Sequence, residues 1–325
     1  MTEYIEPSQK HLAFIEEYLQ VLEKEFKPHN LYAPILYILR QPGKKIRFNL
    51  TIKACELFGG LSEDAVYSAL ATEVFHNFTL IHDDVMDDAS TRRNQPTVHT
   101  HWDLNTAILS GDAMLILAYE ILLKQKSSAI VPILEHFTEA ARVVCEGQQL
   151  DIDFEDLPVV QMDSYIQMIT KKTAALIAGG MYIGALSAGA SPEQANLLHE
   201  FGINLGIAFQ IRDDMLDCYG ERQKIGKIKG GDILQGKKTI LYIRTWFSLP
   251  EEEQKRFESL YLGHSENKVD KVMKYFNQVD VKSYAIEQEQ KYFDKALLAL
   301  KKIEVPESRK LDLFHYANNL MGRDH

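Results

Sequence analysis

The chain has 325 residues but only three cysteines, Cys55, Cys145 and Cys218, scattered and without a CxxC spacing. Their scarcity excludes a disulfide-stapled scaffold and leaves buried free thiols in a reducing compartment as the expectation. Positive charge is also short. A net charge of −10 argues against nucleic acid and anionic membrane surfaces as principal partners. The N-terminus, Met1-Thr2-Glu3-Tyr4-Ile5-Glu6, lacks the basic and apolar regions of a signal peptide. One uncharged stretch, Thr173 to Pro192, is just long enough to span a bilayer, yet it is rich in alanine and glycine. A small-residue helix packed inside a bundle accounts for it better, so no transmembrane segment is expected and the location read is cytoplasmic. No run alternates as a strand would, and no break is long or simple enough to serve as a domain linker.

What is present is helix. The composition, 46% hydrophobic and 25% charged, can bury a sizeable core. Helical periodicity covers residues 9–26, 64–82, 105–123, 131–150, 160–186, 193–219, 236–247 and 266–302. Glycine, proline and charge gather between them, at 41–45, 90–96, 156–158, 189–192 and 220–236. The pattern predicts an all-α fold: one large bundle of ten or so helices spanning 1–325, with its chemistry at the bundle mouth. The more charged tail from Leu249 is expected to pack on the outside.

Two copies of one acidic pattern stand out, Asp83-Asp84-Val85-Met86-Asp87 and Asp213-Asp214-Met215-Leu216-Asp217. On a helix, carboxylates at i and i+4 share a face about 5–6 Å apart and repel unless something positive lies between them. A single DxxxD is usually a solvated acidic face. Two copies, each following a largely apolar stretch, point instead to hard divalent cations. Mg²⁺ takes one or two carboxylates, keeps waters and completes its shell with substrate phosphates.

Basic residues recur near these rows: Lys44-Lys45-Ile46-Arg47, Arg92-Arg93, Lys171-Lys172, Lys227, Lys229 and Lys237-Lys238. Any one pair would ordinarily be solvated surface. Arg92-Arg93, however, follows the first row within a turn or two, and arginine's planar fork suits phosphate. Lys227 lies in a glycine-rich loop, Gly226 to Asp232, that lacks the spacing GxxxxGK[ST], so a nucleotide-triphosphate site is not supported. The division of labour implied is metal plus cations on one diphosphate, and Lys44 with Arg47 on a second anionic substrate held without metal. Metal and lysine assistance to a departing diphosphate is Lewis-acid catalysis, and an allylic carbon can carry the resulting cation.

The ordered series Gly43-Lys44-Lys45-Ile46-Arg47, His76, Leu80 to Asp87, Arg92 to Thr97, Gly111-Asp112, Gly147 to Asp151, Lys172-Thr173, Phe209 to Asp217, Gly226-Lys227, Gly231 to Ile233 and Gly236 to Thr239 resembles the trans-isoprenyl diphosphate synthases (polyprenyl synthetases) over nearly the whole chain. The resemblance implies an isoprenoid-synthase bundle with a central cavity. It implies Asp83, Asp87 and Asp213 as direct Mg²⁺ ligands, with Asp84, Asp214 and Asp217 holding metal-bound waters or neighbours, and three Mg²⁺ per site. Arg92, Lys172, Lys227 and Lys237 would contact an allylic diphosphate (dimethylallyl, geranyl or farnesyl). Lys44, Arg47, His76 and Arg93 would hold isopentenyl diphosphate. His76 alone would more often be a satisfied core histidine. Lys172, Thr173 and Gln210 would serve catalysis, the last two as dipoles facing the allylic cation. A homodimer is also implied. Two departures are visible: Asn94 and Pro42 stand where the family usually has glycine, and Asn94 is expected to preserve the turn by accepting left-handed backbone.

In this family the residues ahead of the first row set product length. Phe78 lies about 7.5 Å, and Phe75 roughly 12 Å, from Asp83 along the helix axis. With small Thr79 and no insertion in the motif, the pattern resembles geranylgeranyl-forming members, with farnesyl and then longer products as alternatives. A class I terpene cyclase would usually carry an Asn/Ser/Glu-type second motif and need no second diphosphate site. A non-catalytic subunit would be expected to have lost carboxylates from one row.

Overall fold

Residues 7–220 and 230–322 are described by a computed structural model, and helices dominate them. In chain order these are α1 (Gln9–Glu25), α2 (His29–Arg40), α3 (Ile46–Leu57), α4 (Val66–Met86), α5 (Val98–His101), α6 (Leu104–Leu122), α7 (Ile130–Asp156) and α8 (Met162–Ile169). A π-helical turn, Thr170–Ala174, leads into α9 (Ala175–Ser187) and α10 (Pro192–Tyr219). Beyond residue 229 come α11 (Gly231–Gln235), α12 (Ile240–Ser248), α13 (Glu251–Leu262), α14 (Lys268–Gln278), α15 (Val281–Lys302) and α16 (Glu307–Met321). The all-α expectation is met. One two-stranded hairpin, Thr91–Arg92 with Gln95–Pro96, is an addition that periodicity over so few residues cannot show.

The helices group into two compact units. The first draws on Met1–Ala141, Leu176–His199 and Leu300–Leu320. Its central helix is α4, which buries Ala69, Leu70, Ala71, Val74, Phe75, Phe78 and Ile81 and packs most extensively against α6. The start of α6 is fixed by Asp103, whose carboxylate accepts from the Thr106 N–H at 2.9 Å and the Thr106 hydroxyl at 2.7 Å. The alanine–glycine stretch is a packed core element: residues 173–186 are all buried. A Cβ on Gly184 would fall 2.2 Å from the Thr51 carbonyl oxygen, so glycine there permits direct backbone contact with α3. Among the described residues, the helix long and apolar enough by length and composition to cross a membrane is α6, not this one.

The second unit draws on Arg142–Ala175, Glu200–Ala299 and Met321–His325. Its core collects Tyr165, Ile169, Ile211, Ile240, Tyr242, Phe257, Tyr261, Val272 and Phe276. Four of these come from α13 and α14, so the tail after Leu249 builds core instead of only covering it. Charged surface residues dilute its average composition, while Phe257 and Tyr261 are fully buried one turn apart. Tyr242 meets Tyr261 at 4.5 Å and Phe257 at 5.4 Å between ring centroids.

Two long helices expected from periodicity are interrupted. The stretch 160–186 contains the π turn, and 266–302 breaks where Asp280 takes a left-handed φ of 48°. Cys55 and Cys218 are buried free thiols, whereas Cys145 is exposed on α7, where helical period alone does not assign a face.

Candidate active site

The first acidic row occupies the last turn of α4. Asp83 and Asp87 are half-buried, and Asp84 is 2% exposed. No basic residue lies in that turn, and the end of a helix is already the negative pole of its dipole. Asp84 is gripped by Arg92, whose Nε lies 2.9 Å from both carboxylate oxygens and whose Nη2 lies 2.8 Å from Oδ1. Burial pushes the Asp84 carboxyl above the ordinary range, and the guanidinium opposes that rise.

Arg92 reaches back because the chain reverses immediately after it. Arg93 and Asn94 form the turn between the two short strands, with φ of 52° and 61°. Two successive left-handed residues are what a two-residue type I′ hairpin requires. Asn94 therefore holds the turn where glycine is usual, as expected. The Tyr37 hydroxyl donates to the Pro96 carbonyl at 2.8 Å, tying the hairpin to α2.

The predicted isopentenyl-diphosphate cluster lies on the same unit. Arg47 Nη1 meets His76 Nε2 at 3.0 Å. Burial and the cations Arg47, Arg93, Arg92 and Lys45 hold His76 well below its ordinary pKa, so it is neutral and accepts from the guanidinium. A Cβ on Gly43 would lie 3.2 Å from Arg93 Nη1, so a bare backbone next to Lys44 gives that guanidinium its place. The Lys44 carbonyl accepts from Asn49 Nδ2 at 3.2 Å.

Ahead of Asp83, Phe78 is 8% exposed and its ring lies 5.2 Å from Phe75 and 4.8 Å from His82. Phe75 continues to Phe137 at 5.7 Å, and Phe137 to Tyr119 at 5.2 Å. Phe137 and Tyr119 extend the predicted wall; they lie on other helices, where sequence proximity to the motif gives no signal. Thr79 is half-buried, and its hydroxyl donates to the His76 carbonyl at 2.8 Å.

In the second unit the second row sits near the end of α10. Asp213 is exposed, while Asp214 and Asp217 are 5% and 7% exposed. Asp214 accepts from the Tyr165 hydroxyl at 2.6 Å and from Gln210 Nε2 at 2.8 Å. Gln210 Oε1 in turn accepts from the Thr173 hydroxyl at 2.7 Å. Burial pushes the Asp214 carboxyl up to about 7, with Asp213 and Asp151 adding repulsion against the pull of its two donors. Asp217 is used differently: its two oxygens accept from the N–H groups of Gly231 at 3.1 Å and Asp232 at 3.2 Å, capping α11.

The π turn brings Lys172 and Thr173 to this row. A Cβ on Gly147 would fall 2.2 Å from the Lys172 nitrogen, and one on Gly206 2.6 Å from the Ala174 Cα. The two glycines let α7 and α10 close on the turn from either side. Single π turns often mark functional positions, since the wider loop re-aims side chains. Lys172 pairs with Asp151 at 2.6 Å and Lys171 with Glu146 at 2.8 Å. Asp151, one turn after Gly147, carries a signal in the sequence through its motif; Tyr165 carries none, because its contact with Asp214 is made across the fold.

Among the described residues no three His, Cys, Asp or Glu side chains converge as a ready-made metal cage. Hard carboxylate pairs at two negative helix ends fit Mg²⁺ all the same, because that ion takes one or two carboxylates and fills the rest of its shell from water and substrate. Lys237 is half-buried beside the buried Lys238. Lys227 lies outside the described residues.

Helix ends made negative twice over, by side chains and by dipole, suit divalent cations that bridge to a diphosphate. The chain belongs to the polyprenyl synthetase family, whose sequence pattern matches residues 28–279. It is 36% identical over 315 residues to the geranylgeranyl pyrophosphate synthase of Geoglobus acetivorans, 96% of each chain being covered. Its fold is similar to that of the geranylgeranyl pyrophosphate synthetase of Pyrococcus horikoshii Ot3, with a TM-score of 0.90, 32% identity and 97% of both chains covered. A polyprenyl synthase from Caulobacter crescentus CB15, complexed with calcium and isoprenyl diphosphate, matches with a TM-score of 0.88 and 26% identity over 98% of this chain and 96% of that one.

Proposed function

We propose that this isoprenyl diphosphate synthase elongates an allylic diphosphate with isopentenyl diphosphate and stops at geranylgeranyl diphosphate. The observation that carries the product length is the aromatic wall. Phe78 sits just ahead of Asp83, and the Phe75 ring packs against it at 5.2 Å. The geranylgeranyl-forming relatives support the same length. Phe78→Ala opens that wall, so products made with Mg²⁺, isopentenyl diphosphate and each allylic primer should become longer. An unchanged distribution would remove Phe78 as the floor, and no elongation with any primer would sink the synthase reading.

In the reaction the allylic C–O bond breaks and its electron pair leaves with the diphosphate. The isopentenyl π pair then forms the new C–C bond, and a proton is lost to the released diphosphate. Bound Mg²⁺, three per site, supplies Lewis-acid stabilisation of that diphosphate. By the family resemblance Asp83, Asp87 and Asp213 would hold it, with Asp84, Asp214 and Asp217 holding metal-bound waters or neighbours. By the same resemblance Arg92, Lys172 and Lys237, with Lys227 outside the described residues, would contact the allylic diphosphate. Lys44, Arg47, His76 and Arg93 would hold isopentenyl diphosphate, with neutral His76 accepting from Arg47. Gln210 is fixed at both ends, its carbonyl by Thr173 and its amide by Asp214. Its dipole is therefore in place before the allylic cation forms, which is how preorganised groups lower a barrier.

The two compact units act as one isoprenoid-synthase domain over 1–325, as near-complete coverage of the relatives supports. Free thiols support a cytoplasmic location. A homodimer is supported by the apolar face of α6, where Ile108, Leu109 and Ile116 are 41%, 59% and 62% exposed. Ile116→Glu should shift the sedimentation coefficient toward that of a monomer; a wild-type chain already sedimenting as a monomer would refute the dimer.

A further inference from the structure

Lys237 and Lys238 are neighbours in sequence and differ sharply in the fold. Lys238 is 6% exposed, and its ammonium donates to the carbonyls of Phe154 at 2.8 Å, Glu155 at 3.2 Å and Leu157. Phe154 and Glu155 lie in the last turn of α7 and Leu157 just beyond it, where the last C=O groups lack partners within the helix and the dipole is negative. An ammonium has three donors, and all three are used here.

The residues around it are fastened as well. The Lys237 N–H donates to the Asp232 carbonyl at 2.9 Å. The Lys237 carbonyl accepts from the Tyr261 hydroxyl at 2.6 Å and from the Thr239 N–H at 2.9 Å. At the other end of the segment Asp217 caps α11, and its own carbonyl accepts from the Gly230 N–H at 2.8 Å. Lys268, 6% exposed, donates to the Leu234 carbonyl at 3.4 Å. Residues 230–239 are thus bonded to α7, α10, α13 and α14. Gly230 and Gly236, with φ of 73° and 72°, allow so tight a path. A solvated connection would satisfy its backbone with water instead.

We infer that residues 230–239 form a rigid bracket that aims Lys237, and that Lys238 is its positioning residue, acting on diphosphate only through Lys237. The inference rests on Lys237 being a diphosphate ligand. A cation held in place beforehand loses less freedom on binding than one on a loose loop. Asp217 belongs to the same bracket, which explains why its carboxylate faces backbone N–H groups.

The test is calorimetric titration of the full chain with inorganic diphosphate and Mg²⁺. Lys237→Ala and Lys238→Met should each weaken binding about tenfold, the scale of one charge-assisted contact. The double variant should bind no more weakly than Lys237→Ala alone, since residues acting through one another are not additive. Unchanged affinity in Lys238→Met would overturn the inference, whatever happens to its melting temperature. So would a double variant weaker than Lys237→Ala, because Lys238 would then act independently. Unchanged affinity in Lys237→Ala would instead remove the ligand role beneath the inference and take the bracket's purpose with it. If Lys238→Met does not fold, Tyr261→Phe removes the bond to the Lys237 carbonyl. It should weaken binding in the wild-type background and have no effect beside Lys237→Ala; any other pairing overturns the inference.

Discussion

At the end of α4 the middle aspartate of the row, Asp84, is held by the guanidinium of Arg92, with both oxygens engaged. At the end of α10 its counterpart Asp214 receives two neutral donors, the Tyr165 hydroxyl and the Gln210 amide. The outer aspartates differ too. Asp87 closes α4, with its N–H on the Asp83 carbonyl at 2.8 Å, whereas Asp217 caps the next helix through both carboxylate oxygens. One sequence pattern thus serves two electrostatic settings. The first row is balanced by a cation that its own hairpin returns to it. The second is crowded, its buried carboxyl raised by burial and by neighbouring acids.

The largest test removes one outer carboxylate from each row. Asp83→Asn and Asp213→Asn should each lower kcat by roughly 10²–10³-fold, the effect of deleting a principal electrostatic stabiliser. Near-wild-type turnover in either would show that its row does not engage the metal. The second test concerns stability. Arg92→Ala leaves Asp84 buried without its ion partner and should cost about 3–5 kcal/mol in denaturant unfolding. Tyr165→Phe removes one neutral donor and should cost about 1–3 kcal/mol. Equal losses would erase the proposed difference between the rows.

The smallest effect is a pH dependence beside the first row. His76 is held well below its ordinary 6.5 by burial and four cations. As pH falls through 6.5 the unfolded chain takes up a proton there and the folded chain does not. Stability from this group is therefore complete above the unfolded pKa and declines toward acid, by up to about 1.4 kcal/mol per pH unit. His76→Gln should flatten that decline in unfolding titrations. An identical slope in the variant would mean that His76 does not carry this pH dependence.

Helix ends are legible where breakers are local, as at 189–192, the expected break between α9 and α10. They are hard to place where packing decides. The π turn at Thr170–Ala174 has no signature of its own; it exists because Gly147 and Gly206, on two other helices, leave room for it. The core role of α13 and α14 was hidden for a similar reason, since a few fully buried aromatics are outvoted by charged residues on the same helices.

By itself the sequence determined the helical class, the paired carboxylates one turn apart, the arginine pair beyond the first row and the phenylalanines ahead of it. All of these follow from spacing along one helix or one turn, which backbone geometry converts directly into proximity. Only the tertiary structure decided the partners. Tyr165 meets Asp214 across 49 residues, and Lys238 meets the end of α7 across more than 80. Only the fold separated Lys237 from Lys238, and Asp217 from Asp213. A buried charge is tolerated only where donors converge on it, and that convergence comes from helices brought together by the apolar core, whose contacts carry no local mark in the chain.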